Sequence, residues 1–151
     1  MNYIQFLEQL EDSGLAYAIV GGMALALHGA VRGTIDLDLC MALDEKSLSK
    51  AENFFKENHF VSRIPVNAKE IFQFREEKKK KKNLIAWSFY HRHKPSFVVD
   101  VLLIEDVKRI KIVKMKAYGI HIAVASIDDL IRMKTKSGRP QDVEDVKALR
   151  E

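Results

Sequence analysis

With a single cysteine, Cys40, in 151 residues, the chain cannot form an internal disulfide framework, and it fits a reducing compartment. No apolar run approaches the roughly 20 residues that a membrane-spanning helix needs. Met1 to Glu11 contains acidic residues and no basic stretch leading into an apolar one, so a secretory leader is not expected. These absences predict a cytoplasmic protein without a membrane partner. There is also little charge imbalance. The formal net charge is +4, and much of the excess lies in one run, Lys78 to Lys82, so charge alone favours a nucleic-acid partner only weakly. No internal repeat or linker divides the chain.

What is present is the composition of a folded domain, 47% hydrophobic and 30% charged. Residues 1–151 are long enough to bury one core as a single domain. Asn2 to Asp12 has helical apolar spacing at Ile4, Phe6, Leu7 and Leu10. Ala16 to Val20 reads as a buried strand that breaks at Gly21-Gly22, with one or two helical turns over Met23 to His28. Ile35 to Ala42 is the next strand, and Asp44 caps a helix through Asn58 whose apolar face is Leu48, Ala51, Phe54 and Phe55.

Phe60 to Ile64 is a short strand, and Ala68 to Lys82 reads as a helix running into the lysine tract. Leu84 to His91 and Phe97 to Ile104 are β-rich, with Lys94-Pro95-Ser96 as the expected turn between them. Arg109 to Ala117 alternates basic and apolar residues, as an edge strand does. Ile120 to Ala125 is a further strand. Ser126 with Asp129 resembles a capping box opening a helix to Ser137; Gly138 closes it, and Pro140 opens a last helix through Leu149. The expected architecture is mixed α/β (α+β), a mixed central sheet flanked by helices.

Two features are energetically costly. Asp36 and Asp38 are two apart on the expected strand, so their carboxylates leave one face about 7 Å apart at the backbone. Asp100 is centred in Phe97 to Leu103, a run apolar enough to be buried on both faces, where an unpaired carboxylate would cost several kcal/mol. If the two strands are neighbours, three carboxylates converge, and an all-oxygen set suits a hard cation such as Mg²⁺. The plainer alternatives are surface charge for the Asp-x-Asp pair and an arginine partner for Asp100. Glycines after a strand let backbone approach a phosphate at a helix N-terminus, although any tight turn needs glycine.

Ile19-Val20-Gly21-Gly22 followed by Asp36-Leu37-Asp38-Leu39 resembles the signature of the DNA polymerase β-type nucleotidyltransferase superfamily, and Asp100 matches its third carboxylate. Leu25 to Thr34 is similar to small bacterial stand-alone members. Ala125 to Leu130, Lys134, Gly138 to Asp142 and Asp145 resemble the AbiEii-like toxin and minimal nucleotidyltransferase (MNT) groups. The resemblance runs from Tyr17 to Leu149.

It implies the nucleotidyltransferase fold and transfer of a nucleoside monophosphate from an NTP to an acceptor hydroxyl. Asp36 and Asp38 would bind two Mg²⁺ ions, with Mn²⁺ as a substitute, and Asp100 would assist at the attacking hydroxyl. Gly21 and Gly22 would line the phosphates, with Lys134, Asp142, Arg32 and Thr34 as further nucleotide contacts. Lys134 reads equally as an exposed helix lysine, Asp142 as a first-turn acid, and Arg32 as a partner of a buried acid. The acceptor implied is RNA such as tRNA, or a protein, with a cognate toxin or antitoxin as partner and a homodimer as one assembly.

Two other readings stand beside this one. One is a non-catalytic binding module that keeps the fold. The other is an aminoglycoside or lincosamide nucleotidyltransferase, against which the lack of a further helical domain counts. His28 is expected to pack or hydrogen-bond, Cys40 to be buried and inert, and Trp87, Phe89 and Tyr90 to be hairpin core rather than a base-stacking platform. His91 and His93 point the same way but lack a third metal ligand. The Lys78–Lys82 run is either a solvated face or a guide for RNA.

Overall fold

Helices α1 (Tyr3–Asp12), α2 (Gly21–Leu27), α3 (Glu45–Glu57), α4 (Ala68–Lys78), α5 (Ile127–Ser137) and α6 (Pro140–Arg150) surround seven strands in a computed structural model that describes residues 1–29, 36–78 and 85–150. The strands are β1 (Tyr17–Val20), β2 (Leu37–Met41), β3 (Phe60–Ser62), β4 (Ala86–His91), β5 (Lys94–Leu102), β6 (Ile112–Ala117) and β7 (Ile120–Ala125). They form one sheet in the order β3-β4-β5-β2-β1-β7-β6. β2–β5 and β1–β7 pair in parallel and the other neighbours antiparallel, so the sheet is mixed as expected.

Local chemistry explains most element ends. Asn2 and Gln5 form a reciprocal capping box on α1. The Asp44 carboxylate accepts the Ser47 N–H at 2.8 Å to open α3, and the Ser126 hydroxyl accepts the Asp129 N–H to open α5. Gly138, at φ +68°, supplies the left-handed residue that ends α5. β6 lies at the sheet edge with Lys114 and Lys116 exposed, which blunts that edge.

The core explains which sheet face is open to chemistry. Phe6 of α1 and Phe54 and Phe55 of α3 pack with Phe60, Phe89 and Phe97, and Phe55 stacks on Phe89 at 4.1 Å between ring centres. Trp87, Phe89, His91, Phe97, Val99 and Val101 are therefore buried on one face of β4 and β5. The alternation of a strand turns Ser88, Tyr90, Val98, Asp100 and Leu102 to the other face, where all are half-buried.

Two expectations are corrected. The β4–β5 turn is Arg92-His93, since His91 pairs with Lys94, and Pro95 lies within β5. A two-residue turn alone would set Tyr90 opposite Pro95, and the register shift between Tyr90 and His91 moves its partner to Val98. Asp36 is not inside a strand: β2 begins at Leu37, leaving Asp36 exposed just before it.

Candidate active site

One row of residues crosses the sheet at a single level. Val20 on β1 is opposite Asp38 on β2, Asp38 is opposite Asp100 on β5, and Asp100 is opposite Ser88 on β4. The two aspartates thus share a face on adjacent strands, close enough to hydrogen-bond to each other. Ser88 Oγ donates to Asp100 Oδ1 at 2.5 Å.

Electrostatics mark Asp38 as strained. Burial first, then the charges of Asp100 and Asp36, push the Asp38 carboxyl up to about 6, with Lys134 opposing. A carboxylate crowded by other carboxylates on a half-buried face is the arrangement a bound cation relieves.

Gly21 completes this corner. It has φ +68°, and a Cβ there would lie 2.3 Å from Asp38 Oδ2. Only glycine lets the start of α2 run so close behind that carboxylate. Gly22 is buried in the first turn of α2, and Gly21 is the residue at which that helix starts.

Asp36 is placed differently from its expected partners. It is near enough for its charge to act on Asp38, and also on Tyr3 of α1, whose phenol is raised mainly by burial and then by Asp36. Among the described residues, no three His, Cys, Asp or Glu side chains form a group of metal-holding geometry. The structure brings together Asp38 and Asp100, with Asp36 at the margin.

A second polar cluster adjoins Asp38. Lys134 of α5, 13% exposed, pairs with Asp142 Oδ1 at 3.4 Å and Asp145 Oδ2 at 3.1 Å, both on α6. Burial alone would raise Asp142, but hydrogen bonds from Arg139 and Ser137 and the charge of Lys134 hold it far below the ordinary carboxylate range. Arg139 Nε donates to Asp142 at 2.9 Å, and the charge of Asp38 also reaches Arg139. Lys134 is therefore not an exposed helix lysine, and Asp142 is a buried ion-pair partner rather than a surface first-turn acid.

Replacing Lys134 with Met would remove the lysine that both Asp142 and Asp145, 1% and 4% exposed, share, leaving Asp142 to Arg139. We expect a loss of about 3 kcal/mol, read as a lower midpoint in urea, because one member of a buried pair is removed. An unchanged midpoint would show that the cluster contributes nothing to holding α6 on α5.

The remaining expectations divide cleanly. His28 Nε2 hydrogen-bonds with the Ala125 carbonyl at 2.9 Å, a structural role. Cys40 is fully buried and its thiol is pushed up to about 12, chiefly by burial, so it is inert. His91 and His93 do meet a third imidazole, His59, with ring centres 5.6 to 6.2 Å apart. His91 Nδ1 accepts the His93 N–H, so that lone pair is engaged. Arg32, Thr34 and the Lys78–Lys82 run, apart from the Lys78 backbone, lie outside the described residues.

Sequence reasoning missed Ser88. Its only signal is a hydroxyl between Trp87 and Phe89, and that gains meaning only once β4 is registered on β5.

No protein-family model matches the chain, and no curated protein matches it. Solved structures do. The Thermotoga maritima protein TM1012, designated a nucleotidyltransferase, superposes with a TM-score of 0.62 at 14% identity, covering 95% of this chain and 87% of that one. The lincosamide antibiotic adenylyltransferase LnuA, solved with lincomycin bound, gives 0.60 at 11% identity, covering 98% and 94%. A nucleotidyltransferase-like antigen of Paracoccidioides brasiliensis gives 0.59 at 15%, covering 96% and 72%. The chain has the nucleotidyltransferase fold, and these structural neighbours are nucleotidyltransferases or resemble them. Among the described residues, no helix is long and apolar enough to cross a membrane.

Proposed function

We propose that the chain is a metal-dependent nucleotidyltransferase of the polymerase β type, moving a nucleoside monophosphate from an NTP to an acceptor hydroxyl. The observation that carries this is the in-register pair Asp38–Asp100 with Gly21 backed onto Asp38 Oδ2, where a Cβ would lie at 2.3 Å. That backbone is too close to Asp38 for any side chain, and it starts a helix beside two acids.

The donors fit a hard cation. Mg²⁺ is commonly held by one or two carboxylates plus substrate phosphates rather than by an all-protein cage, which suits a site where two acids are adjacent and the third is marginal. Asp38 and Asp100, with Asp36, would hold the metal. Bound there, Mg²⁺ would neutralise phosphate charge and lower the pKa of the acceptor hydroxyl.

The chain's own groups do the rest. Gly21, which carries no side chain, would let a phosphate approach the backbone at the start of α2 beside Asp38. Lys134, fixed by Asp142 and Asp145, provides positive charge next to Asp38 for a phosphate oxygen. Asp100 orients the acceptor hydroxyl and takes its proton. The acceptor oxygen bonds to the α-phosphorus, the bond from that phosphorus to the bridging oxygen breaks, and pyrophosphate leaves.

The resemblance to AbiEii-like and MNT proteins favours RNA, such as tRNA, or a protein as acceptor, within a toxin–antitoxin or phage-defence setting. A small antibiotic is the second reading. LnuA, an antibiotic adenylyltransferase, has 94% of its chain covered by this one, which supports that second reading.

Incubation with Mg²⁺ and each α-labelled NTP, with total tRNA, cell protein, lincomycin or tobramycin as acceptors, tests the proposal. Label on one class identifies the acceptor. Label on none, with no pyrophosphate released, removes the enzymatic reading and leaves a binding module.

A further inference from the structure

Resting on that reading, we propose that Ser88 is a positioning residue: its hydroxyl fixes the Asp100 carboxylate in the orientation needed for metal and acceptor. Asp100 is on β5 and Ser88 directly opposite it on β4, both half-buried on the same face. Ser88 Oγ donates to Asp100 Oδ1 at 2.5 Å. The flanking residues Trp87 and Phe89 are buried in the aromatic core, and the Arg63 N–H donates to the Ser88 carbonyl at 2.9 Å. The backbone that carries the hydroxyl is thereby held from both sides.

The terminal torsion of an aspartate is broad, so nothing in the chain of Asp100 itself chooses how its carboxylate plane is turned. A hydroxyl has one proton to give, and here it goes to Oδ1. Accepting that one hydrogen bond leaves the carboxylate further lone pairs for a cation or an acceptor hydroxyl. Asp38 has no such hydroxyl opposite it, since its β1 neighbour is Val20. Gly21 crowds that acid from behind instead. The two acids are held by different devices, and Ser88 is the one on the acceptor side.

Mn²⁺ titrated into the full chain with a non-hydrolysable ATP analogue, and followed by the electron paramagnetic resonance of free Mn²⁺, tests this. Ser88→Ala should weaken Mn²⁺ binding about tenfold, as expected for one hydrogen bond to a charged group. Ser88→Thr, which restores the hydroxyl in a residue that strands favour, should bring affinity back to about the wild-type value. In an Asp100→Asn background Ser88→Ala should cause no further loss, because its effect acts through that carboxylate.

Equal affinity in wild type and Ser88→Ala overturns the proposal and leaves the enzymatic reading standing. A Thr variant as weak as Ala, or an undiminished Ala effect in the Asn background, overturns it too. No uptake of Mn²⁺ by the wild type removes the reading itself, and the proposal with it.

Discussion

Asp38→Asn is expected to reduce nucleotidyl transfer about a thousandfold or more while making the metal-free protein more stable at neutral pH. The first effect follows from removing a metal-binding charge that stabilises the transition state by several kcal/mol, at about 1.4 kcal/mol per decade of rate. The second follows from the crowding of Asp38 by Asp100 and Asp36. Its folded pKa is about 6, raised from 3.8, mainly by burial. Between those values the folded chain keeps a proton that the unfolded chain releases.

The stability this gives is complete below about pH 4 and is lost as pH rises through about 6. The window is worth about 2 kcal/mol after allowance for the partial exposure of Asp38. Asparagine carries no charge and should recover that amount at pH 7 and almost none at pH 4. Thermal melts of both proteins at the two pH values check it. A mutant less stable than wild type at pH 7 would mean that Asp38 is better compensated than its neighbours indicate.

Gly21→Ala should be strongly damaging for a change of a single methyl group. The new Cβ would meet Asp38 Oδ2 at 2.3 Å, in a left-handed conformation that already costs an L-residue about 1 kcal/mol or more. Either α2 lifts from the sheet or Asp38 turns away from Asp100, and a total loss of about 2–4 kcal/mol is expected. Gly29→Ala is the matching control. Gly29 has φ +96°, but a methyl group there would meet nothing within 4 Å, so only the backbone strain applies. Equal destabilisation of the two variants in urea would show that contact with Asp38 adds nothing.

The elements that carry strong local signals are legible in the sequence. Asn2, Asp44, Ser126 and Gly138 cap the helices their chemistry predicts, and the Leu48, Ala51, Phe54 and Phe55 stripe faces the core. The hairpin turn is not legible, because Lys94-Pro95-Ser96 has turn chemistry whereas pairing across the sheet selects Arg92-His93. The costly carboxylate Asp100 is visible because it interrupts an apolar run. Ser88 is not, since a serine in a strand costs little, and its role depends on a register that no local pattern encodes. Lys134 with Asp142 and Asp145 is open for the same reason: three charged residues on two helices become a buried cluster only when α5 and α6 pack.

The central claim is that a divalent cation binds with nucleotide at Asp38 and Asp100. Paramagnetic broadening of backbone amide resonances by substoichiometric Mn²⁺, in the presence of a non-hydrolysable ATP analogue, tests it directly. The account predicts that signals from Gly21, Asp38, Ser88 and Asp100 disappear first and together, and that Asp38→Asn abolishes the effect. Broadening centred instead on His59, His91 and His93, with the Asp38 and Asp100 signals intact, would contradict it.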